Sequence, residues 1–321
     1  MRAVAEETRL RVLLLLREGE LSVSDLTDIL GQSQPRISRH LKVLVEAGLV
    51  RRHREGSWAF FRLSEEIGAE LLGPVLAAID HGDLRLSEDR ERLAAVRAER
   101  SRSAQAFFAR LAPRWDELRS LHASEEAVEG AILDVVGPGR IGALLDLGTG
   151  TGRMLQLLAP RAERAVGLDA SHAMLSVARA NLARAGLGRV ELRQGDIYSP
   201  PLTRGGYDLI VMHQVLHYLD DPGRALAQAA RLLAPLGRLL VVDFAPHGLE
   251  FLRETQAHRR LGFAGDQVAT WLEEAGLSPD LSRDLASPSQ GDNQLTVSLW
   301  LGRDRRSIPG AEAPSLAREV A

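Results

Sequence analysis

The chain contains no cysteine among its 321 residues. It therefore forms no disulfide, offers no thiolate to a metal ion and has no cysteine nucleophile. Without cysteines, the sequence also gives no redox-based indication of the compartment in which the protein works.

Long hydrophobic runs are missing near the amino terminus as well. The longest one there, Val12–Leu16, is far shorter than a membrane-spanning helix or the apolar core of a secretion signal. We therefore expect a cytoplasmic protein that makes no contact with a membrane.

Net charge is small but unevenly distributed. The formal charge is -3 at pH 7, and the 45% hydrophobic and 26% charged content is typical of a globular protein. Residues 36–62 nevertheless carry seven Arg or Lys against two Glu, a local +5. Such a basic stretch predicts a polyanionic partner. Separately, the chain length predicts two domains.

The amino-terminal sequence predicts three helices followed by a hairpin. Apolar spacing over residues 5–17 predicts one helix, Ser22-Val23-Ser24-Asp25 is expected to start a second that runs through Leu30, and Ser33 is expected to cap a third. Leu49–Arg54 and Trp58–Arg62 predict two strands with a basic tip. This order is typical of a winged helix-turn-helix, in which the third helix enters the major groove of DNA.

The third helix is expected to bury Ile37, Leu41, Leu44 and Ala47-Gly48 and to turn its polar face outward. Base contacts are expected from Gln34 and Arg39, and phosphate contacts from the hairpin. A solvated helix face is the alternative. The complete set of predicted DNA-binding residues is Ser33, Gln34, Arg36, Ser38, Arg39, His40, Lys42, Arg52 and Arg54.

The segment Gln34–Val50, QPRISRHLKVLVEAGLV, closely resembles the ArsR/SmtB transcription regulators, and the resemblance covers about residues 5–63. It implies a homodimeric repressor of double-stranded operator DNA, with Leu71–Ile79 as a dimerisation helix. Many members sense metals through a Cys-x-Cys-type motif in the second helix. Here Leu21–Asp25 has serines in place of thiols, and because hydroxyls bind soft metals poorly, we predict no metal site.

The carboxyl-terminal part is organised around a glycine motif. The apolar run Ala143–Leu147 predicts a buried parallel strand, and the three glycines after it allow positive φ and close approach to a ligand. A dinucleotide fingerprint does not fit because Arg153 stands where its third glycine would be. A plain glycine turn is the alternative.

The D-x-G-x-G-x-G pattern resembles the first motif of the class I S-adenosylmethionine (SAM) methyltransferases. A second short strand ends in Asp169, 23 residues after Asp146, where a carboxylate can accept both ribose hydroxyls. The resemblance further implies that Asp196 contacts the adenine amino group and that Ile197 packs on the ring. For SAM or S-adenosylhomocysteine (SAH), the predicted binding residues are Asp146, Gly148, Thr149, Gly150, Gly152, Asp169, Ala170, Met174, Asp196, Ile197 and His213.

Strands and helices alternate from Ile141 onward, which predicts an α/β fold with a Rossmann-like doubly wound sheet and a final antiparallel strand at Gln294–Leu301. Phe107–Asp116 resembles the lead-in helix of small-molecule methyltransferases, with an ordinary packed helix as the alternative. The predicted organisation is a winged helix at 1–80, a solvent-exposed charged helical linker at 81–103, a methyltransferase domain at 104–305 and a disordered tail at 306–321.

Methyl transfer needs an acceptor held in line, and a base only where the acceptor loses a proton. His213, His217 and His247 follow the fourth and fifth strands and are candidate bases, with a packing role as the alternative for each. His213 and His217 are spaced i, i+4, so a helical turn would place them on one face, where they could bind a metal.

Three functions are compatible with this sequence: a repressor whose second domain senses SAM or SAH, a small-molecule methyltransferase that regulates its own gene, and a DNA-modifying enzyme. The third is disfavoured. Ser199-Pro200-Pro201 follows the third strand, not the fourth, and Leu202 replaces the aromatic residue expected of a DNA amino-methyltransferase. Cytosine C5 and arsenite methylation both rely on cysteine. The operator and the acceptor are not specified.

Overall fold

The structure is a computed structural model that describes residues 3–55, 58–64, 83–111, 125–285 and 295–306. It divides into two compact units. Unit 1 comprises Met1–Arg110, His217–Pro222 and Pro246–Gly262, and unit 2 comprises Leu111–Leu216, Gly223–Ala245 and Phe263–Ala321. Within the described ranges, no helix combines the length and the apolar character needed to cross a membrane.

The described part of unit 1 contains a small antiparallel sheet and several helices, and the first four of these helices contribute to one apolar cluster. Its strands lie in the order β1-β3-β2. They are β1 (Leu21–Ser22), β2 (Val50–Glu55) and β3 (Trp58–Leu63). The helices are α1 (Glu7–Arg17), α2 (Val23–Leu30), α3 (Gln34–Glu46), α4 (Leu84–Leu111) and α9 (Phe251–Thr255).

The predicted helix-turn-helix is confirmed, and local chemistry explains its boundaries. Ser22 Oγ accepts from Asp25 N (3.2 Å) while Asp25 Oδ2 accepts from Ser22 N (3.0 Å), a capping box that starts α2. Gly31, at φ +63°, ends that helix. Ser33 stands at the start of α3 but makes no side-chain capping bond, so that part of the prediction is wrong.

The inward stripe of α3 is as predicted except at its end. Ile37, Leu41 and Leu44 are at most 1% exposed, whereas Ala47 is exposed because the helix has already ended at Glu46. The sequence analysis also missed β1, since two residues are too few to show an alternating pattern.

The predicted linker is helical and most of its described residues are exposed, as expected, but one side of it is buried. Leu93 is 3% exposed and joins the apolar cluster that contains Val12 and Leu13. Asp89 accepts from Arg11 Nε (2.6 Å) and Nη2 (2.7 Å). The charges that suggested a solvated connector therefore include groups that bind α4 to α1.

Helix α4 continues across the predicted boundary at residue 103 into the first residues of the expected lead-in helix. The domain limits at 80, 103 and 305 stay predictions. The dimerisation helix Leu71–Ile79, residues 112–116 of the lead-in helix and the tail from residue 307 lie outside the described residues.

Unit 2 is a seven-stranded sheet in the order β6-β5-β4-β7-β8-β10-β9. Its strands are β4 (Ile141–Leu147), β5 (Ala162–Asp169), β6 (Glu191–Gln194), β7 (Tyr207–His213), β8 (Leu233–Phe244), β9 (Leu277–Leu285) and β10 (Val297–Asp304). The helices are α5 (Glu125–Val136), α6 (Arg153–Leu158), α7 (His172–Arg184), α8 (Pro222–Leu232) and α10 (Gly265–Glu274).

Neighbouring strands from β6 to β8 are parallel, and β10 is antiparallel to both β8 and β9. The predicted doubly wound fold and the final antiparallel strand are confirmed. The central strands are almost fully buried, with Leu144 1% and Ile210 0% exposed. Such burial on both faces is why these strands appear as continuous apolar runs in the sequence.

Candidate functional site

The predicted cofactor residues of unit 2 follow the carboxyl ends of four neighbouring parallel strands. The glycine loop follows β4, Asp169 ends β5, Asp196 comes just after β6, and His213 ends β7. Parallel strands end at the same edge of a sheet, which is where α/β proteins bind nucleotides. The fold therefore brings these residues to one edge, which we call the nucleoside edge.

The glycine loop has the backbone geometry that its sequence predicts. Gly148, Gly150 and Gly152 have φ values of +76°, +52° and +85°, in the left-handed region that favours glycine. A Cβ at Gly148 would lie only 2.5 Å from Val215 Cγ2. The loop thus requires glycine both for its conformation and for its close approach to the chain after β7.

Asp146 stabilises this loop through a buried hydrogen bond. It is 2% exposed, and its Oδ2 accepts from Thr149 Oγ1 at 2.6 Å. Thr149 itself is 6% exposed. The structure gives both residues an internal role, and their contact with a ligand stays a prediction.

Asp169 is the partly exposed acid of the nucleoside edge. Its Oδ2 accepts from Gly150 N and its Oδ1 from Ser171 N, both at 2.8 Å. Burial raises the pKa of this carboxyl above its ordinary value, and the backbone donors partly oppose that shift. A carboxylate has about four acceptor positions, so each oxygen retains capacity for one hydroxyl of a vicinal diol.

The other predicted contacts of the nucleoside edge differ in exposure. Ala170 and Asp196 are exposed, and Asp196 Oδ1 accepts from Tyr198 N at 2.9 Å. Ile197 is 9% exposed and Met174 only 2%. Met174 lies in the interior of unit 2, so its side chain contributes to the core in this structure.

The predicted helical pairing of His213 and His217 is wrong. His213 ends a strand, Gln214 has φ +51°, and Leu216–Tyr218 form a 3-10 helix. The chain therefore changes direction between the two histidines, and their spacing of four residues is not one helical turn.

Each histidine has its own surroundings. His213, in unit 2, is partly exposed. His217, in unit 1, is 1% exposed, with its ring centroid 4.0 Å from that of Tyr218 and 4.2 Å from that of His258. This burial favours the packing alternative for His217. His247 Nδ1 accepts from Leu249 N at 3.3 Å. A role as base remains a prediction for all three.

Asp243 was not among the residues predicted from the sequence. This residue is 0% exposed, and its two oxygens accept from Leu216 N (2.9 Å) and Phe244 N (2.8 Å). It therefore holds the loop after β7 within unit 2. The available signal was an acid directly after the apolar run of β8, the same signature that identified Asp146 and Asp169.

In unit 1, α3 presents a polar face to solvent. The exposed side chains are those of Ser33, Gln34, Arg36, Ser38, Arg39 and Lys42, a set we call the DNA-reading face. Arg52 on β2 is also exposed, and the side chain of Arg54 lies outside the described residues. Val43, one turn from Arg39, is 38% exposed and was not among the predicted residues.

His40 is not placed with this group. Its side chain is 15% exposed, and its Nδ1 lies 3.4 Å from Glu6 Oε2 at the start of α1. The prediction of a DNA contact by His40 is therefore not supported by its surroundings, which are those of an interhelical contact.

Comparisons with known proteins agree with both units. The sequence profile of the family described as "Bacterial regulatory protein, arsR family" matches residues 6–52, and that of "Methyltransferase domain" matches residues 145–241. The fold and the two family matches define an arsR-type winged helix joined to a class I methyltransferase fold.

The chain is 42% identical over 106 residues to the arsenic resistance transcriptional regulator ArsR1 of Pseudomonas putida, covering 33% of this chain and 82% of that protein. It is 30% identical over 222 residues to an uncharacterized 37.1 kDa protein in transposon TN4556 of Streptomyces fradiae, covering 64% of this chain and 63% of that protein. The chain belongs to the arsR family of regulators and carries a methyltransferase domain after the regulator domain.

Among solved structures, unit 2 resembles the N-methyltransferase NodS from Bradyrhizobium japonicum in complex with SAH. The TM-score is 0.52 at 21% identity, and the match covers 63% of this chain and 99% of that one. At this level of identity the likeness establishes the fold.

Proposed function

We propose that this protein is a transcriptional repressor whose affinity for operator DNA is set by SAM or SAH bound at the nucleoside edge. The observation that carries the proposal is the geometry of Asp169, which ends β5 beside the positive-φ glycine loop. Its two oxygens each hold one backbone N–H and retain capacity for the two ribose hydroxyls.

The second-helix serines support a change of sensor within this family. Ser22 is 2% exposed and caps α2 through its hydroxyl. It therefore has a structural role at the place where other members carry metal-binding thiols. We propose that the nucleoside edge of the same chain provides the effector site in place of those thiols.

The DNA half of the proposal rests on the exposed face of α3. Arg36 and Arg39 are both exposed on one helix, and guanidinium groups make bidentate contacts with guanine in the major groove. We propose that the protein acts as a cytoplasmic homodimer, because winged helices of this kind read half-sites about one helical turn apart.

A second function, a small-molecule methyltransferase that regulates its own gene, is favoured by His213. Its partly exposed imidazole ends β7 at the same sheet edge as Asp169. A base at this place would take a proton from an acceptor while the bound SAM supplies the methyl group.

Calorimetry on the full chain with SAM, with SAH and with ATP as a control nucleotide tests the proposal. We expect saturable binding of SAM or SAH and none of ATP, and no consumption of SAM in the presence of duplex DNA alone. Absence of SAM and SAH binding would overturn the proposal. SAM consumption that appears only with a small-molecule acceptor panel would favour the second function.

A further inference from the structure

Two short segments that follow sheet strands belong to unit 1. The turn segment, His217–Pro222, comes after β7, and the insert segment, Pro246–Gly262, comes after β8. They are bound to each other through one carbonyl, because Arg259 N and Arg260 N both donate to His217 O, at 2.8 and 3.1 Å. The two segments thus form one contiguous element of unit 1.

Arg260 of the insert segment is completely buried, with 0% exposure. Its Nη2 donates to Glu20 Oε2 at 2.8 Å and to Asp220 O at 2.5 Å. Its guanidinium carbon lies 3.8 Å from the centroid of the Phe60 ring. A buried cation is costly unless it is paired, hydrogen-bonded and well packed, and Arg260 has all three kinds of contact.

Glu20 and Phe60 lie where the small sheet of the winged helix leads into α2. Glu20 directly precedes β1, in which Ser22 pairs with Phe60 of β3. Ser22 also caps α2, and α2 leads through one turn to α3. Arg260 therefore contacts β3, a strand of the β2–β3 hairpin that forms the wing, and also contacts Glu20, two residues before the Ser22 that caps α2.

The turn before β1 has a second contact with the same element. Gly19 has φ +137°, and a Cβ there would lie 2.7 Å from Asp221 Oδ2 of the turn segment. On its other side, Glu18 O accepts from Arg97 Nη2 of α4 at 2.7 Å. Close approach at Gly19 leaves the turn little room to move independently of the turn segment.

We propose that Arg260 is a positioning residue for DNA reading. By holding Glu20 and Phe60 together, it sets the arrangement of the wing relative to α3. Its element is joined covalently to β7 and β8, since the turn segment begins four residues after His213 and the insert segment two residues after Phe244. The ligand-dependent part of this inference rests on the proposed function, whereas the positioning part does not.

The chain offers a matched control one residue away. Arg259 is also an insert-segment arginine, and it pairs with Asp220 Oδ1 of the turn segment. Arg260→Lys keeps the charge but removes the planar fork and its stack on Phe60. Glu20→Gln removes the charge of the partner while keeping its shape. Arg259→Lys makes the same chemical change as Arg260→Lys outside the contact with Glu20.

The experiment compares these full-length variants with the wild type on two duplexes: one selected by the wild-type chain from a random library, and a scrambled duplex. Affinities are measured with and without SAH, after circular dichroism has confirmed folding at the assay temperature. A simple loss of folded protein weakens both duplexes alike. The ratio of the two affinities therefore reports positioning separately from stability.

We expect Arg260→Lys and Glu20→Gln each to lower the selected-to-scrambled ratio by about five-fold or more, the low end of usual coupling between sites. The double variant should lose no more than either single variant, because both remove one contact. Arg259→Lys should stay within about two-fold of the wild type. In the two affected variants, SAH should no longer change the affinity for the selected duplex.

Equal ratios for Arg260→Lys and Arg259→Lys would overturn the positioning role, whatever SAH does. If the wild type itself shows no response to SAH, the proposed sensor function fails. The selected-to-scrambled ratio measured without SAH still decides the role of Arg260 in that case.

Discussion

At the nucleoside edge of unit 2, the groups that would meet a ligand are fixed by backbone conformation and internal hydrogen bonds. Three glycines adopt positive φ, and the oxygens of Asp169 are already held by Gly150 N and Ser171 N. The DNA-reading face of unit 1 is different, because Arg36 and Arg39 are exposed side chains on a regular helix.

This difference has consequences for substitutions. A change at the nucleoside edge alters a geometry that several groups share, so its effect should be large and should reach the stability of unit 2. A change on the DNA-reading face removes one exposed side chain, so its effect should be local and sensitive to salt.

The largest effect is expected from Gly148→Ala. The new Cβ would lie 2.5 Å from Val215 Cγ2 at φ +76°, which combines left-handed strain with overpacking. Gly186→Ala is the matched control, because φ is +72° there and no atom lies within 4 Å of the new Cβ. Thermal unfolding should show that Gly148→Ala lowers the free energy of unfolding by about 1–3 kcal/mol more than the control does. We also expect Gly148→Ala to lose SAH binding. Equal losses would mean that the close approach is unimportant.

Asp169→Asn should weaken SAH binding by about ten-fold or more, since hydrogen bonds to a charged group contribute about 1.5–3 kcal/mol. Asp134→Asn, at an exposed position of α5, is the control for a lost surface charge. Calorimetry on the two variants measures the difference. Unchanged affinity in Asp169→Asn would remove this carboxylate from the ligand site.

The pH dependence of binding sharpens that assignment. Only the ionised carboxylate of Asp169 can accept both hydroxyls, and burial raises its pKa above the ordinary value. SAH affinity should therefore fall as the pH decreases through this raised pKa. The fall should occur at a higher pH than it would for an aspartate with an ordinary pKa. SAH affinity measured across the acidic pH range should show this decrease in the wild type and not in Asp169→Asn. The same decrease in both proteins would assign it to another titrating group.

On the DNA side we expect changes in DNA binding that leave the stability of the fold unaffected. Arg39→Ala should lower discrimination against a changed base by about 1–3 kcal/mol. Arg52→Ala, on the hairpin, should weaken all duplexes alike and lower the salt slope by about 1. Anisotropy titrations at several salt concentrations distinguish the two. Full sequence discrimination in Arg39→Ala would show that α3 is not the reader.

Sequence reasoning reached the parts of the fold whose signals are local. The central strands of unit 2 were found because burial on both faces makes continuous apolar runs, and α2 because the segment Ser22–Asp25 is typical of a helix start. Strand β9 was missed because it is an edge strand with mostly polar residues. Its Pro279 is opposite Gly302, where the register shifts, and proline is tolerated at such bulges.

The remaining features depend on contacts between distant parts of the chain. Arg260 and Glu20 are 240 residues apart, and nothing in either local sequence indicates that they meet. Asp89 of α4 was expected to be solvated because the sequence does not reveal that Arg11 approaches it. His213 and His217 were misjudged because a spacing of four residues does not specify a helix when a positive φ intervenes at Gln214.

We propose that ligand binding at the nucleoside edge and DNA binding at α3 are coupled, and coupling of this kind is reciprocal. SAH affinity is measured by calorimetry on the full chain with and without saturating selected duplex, and duplex affinity is measured with and without saturating SAH. Linkage requires the two affinities to change by the same factor, which we expect to be about 5–150-fold. Equal affinities for SAH with and without the duplex would show that the two sites are not coupled.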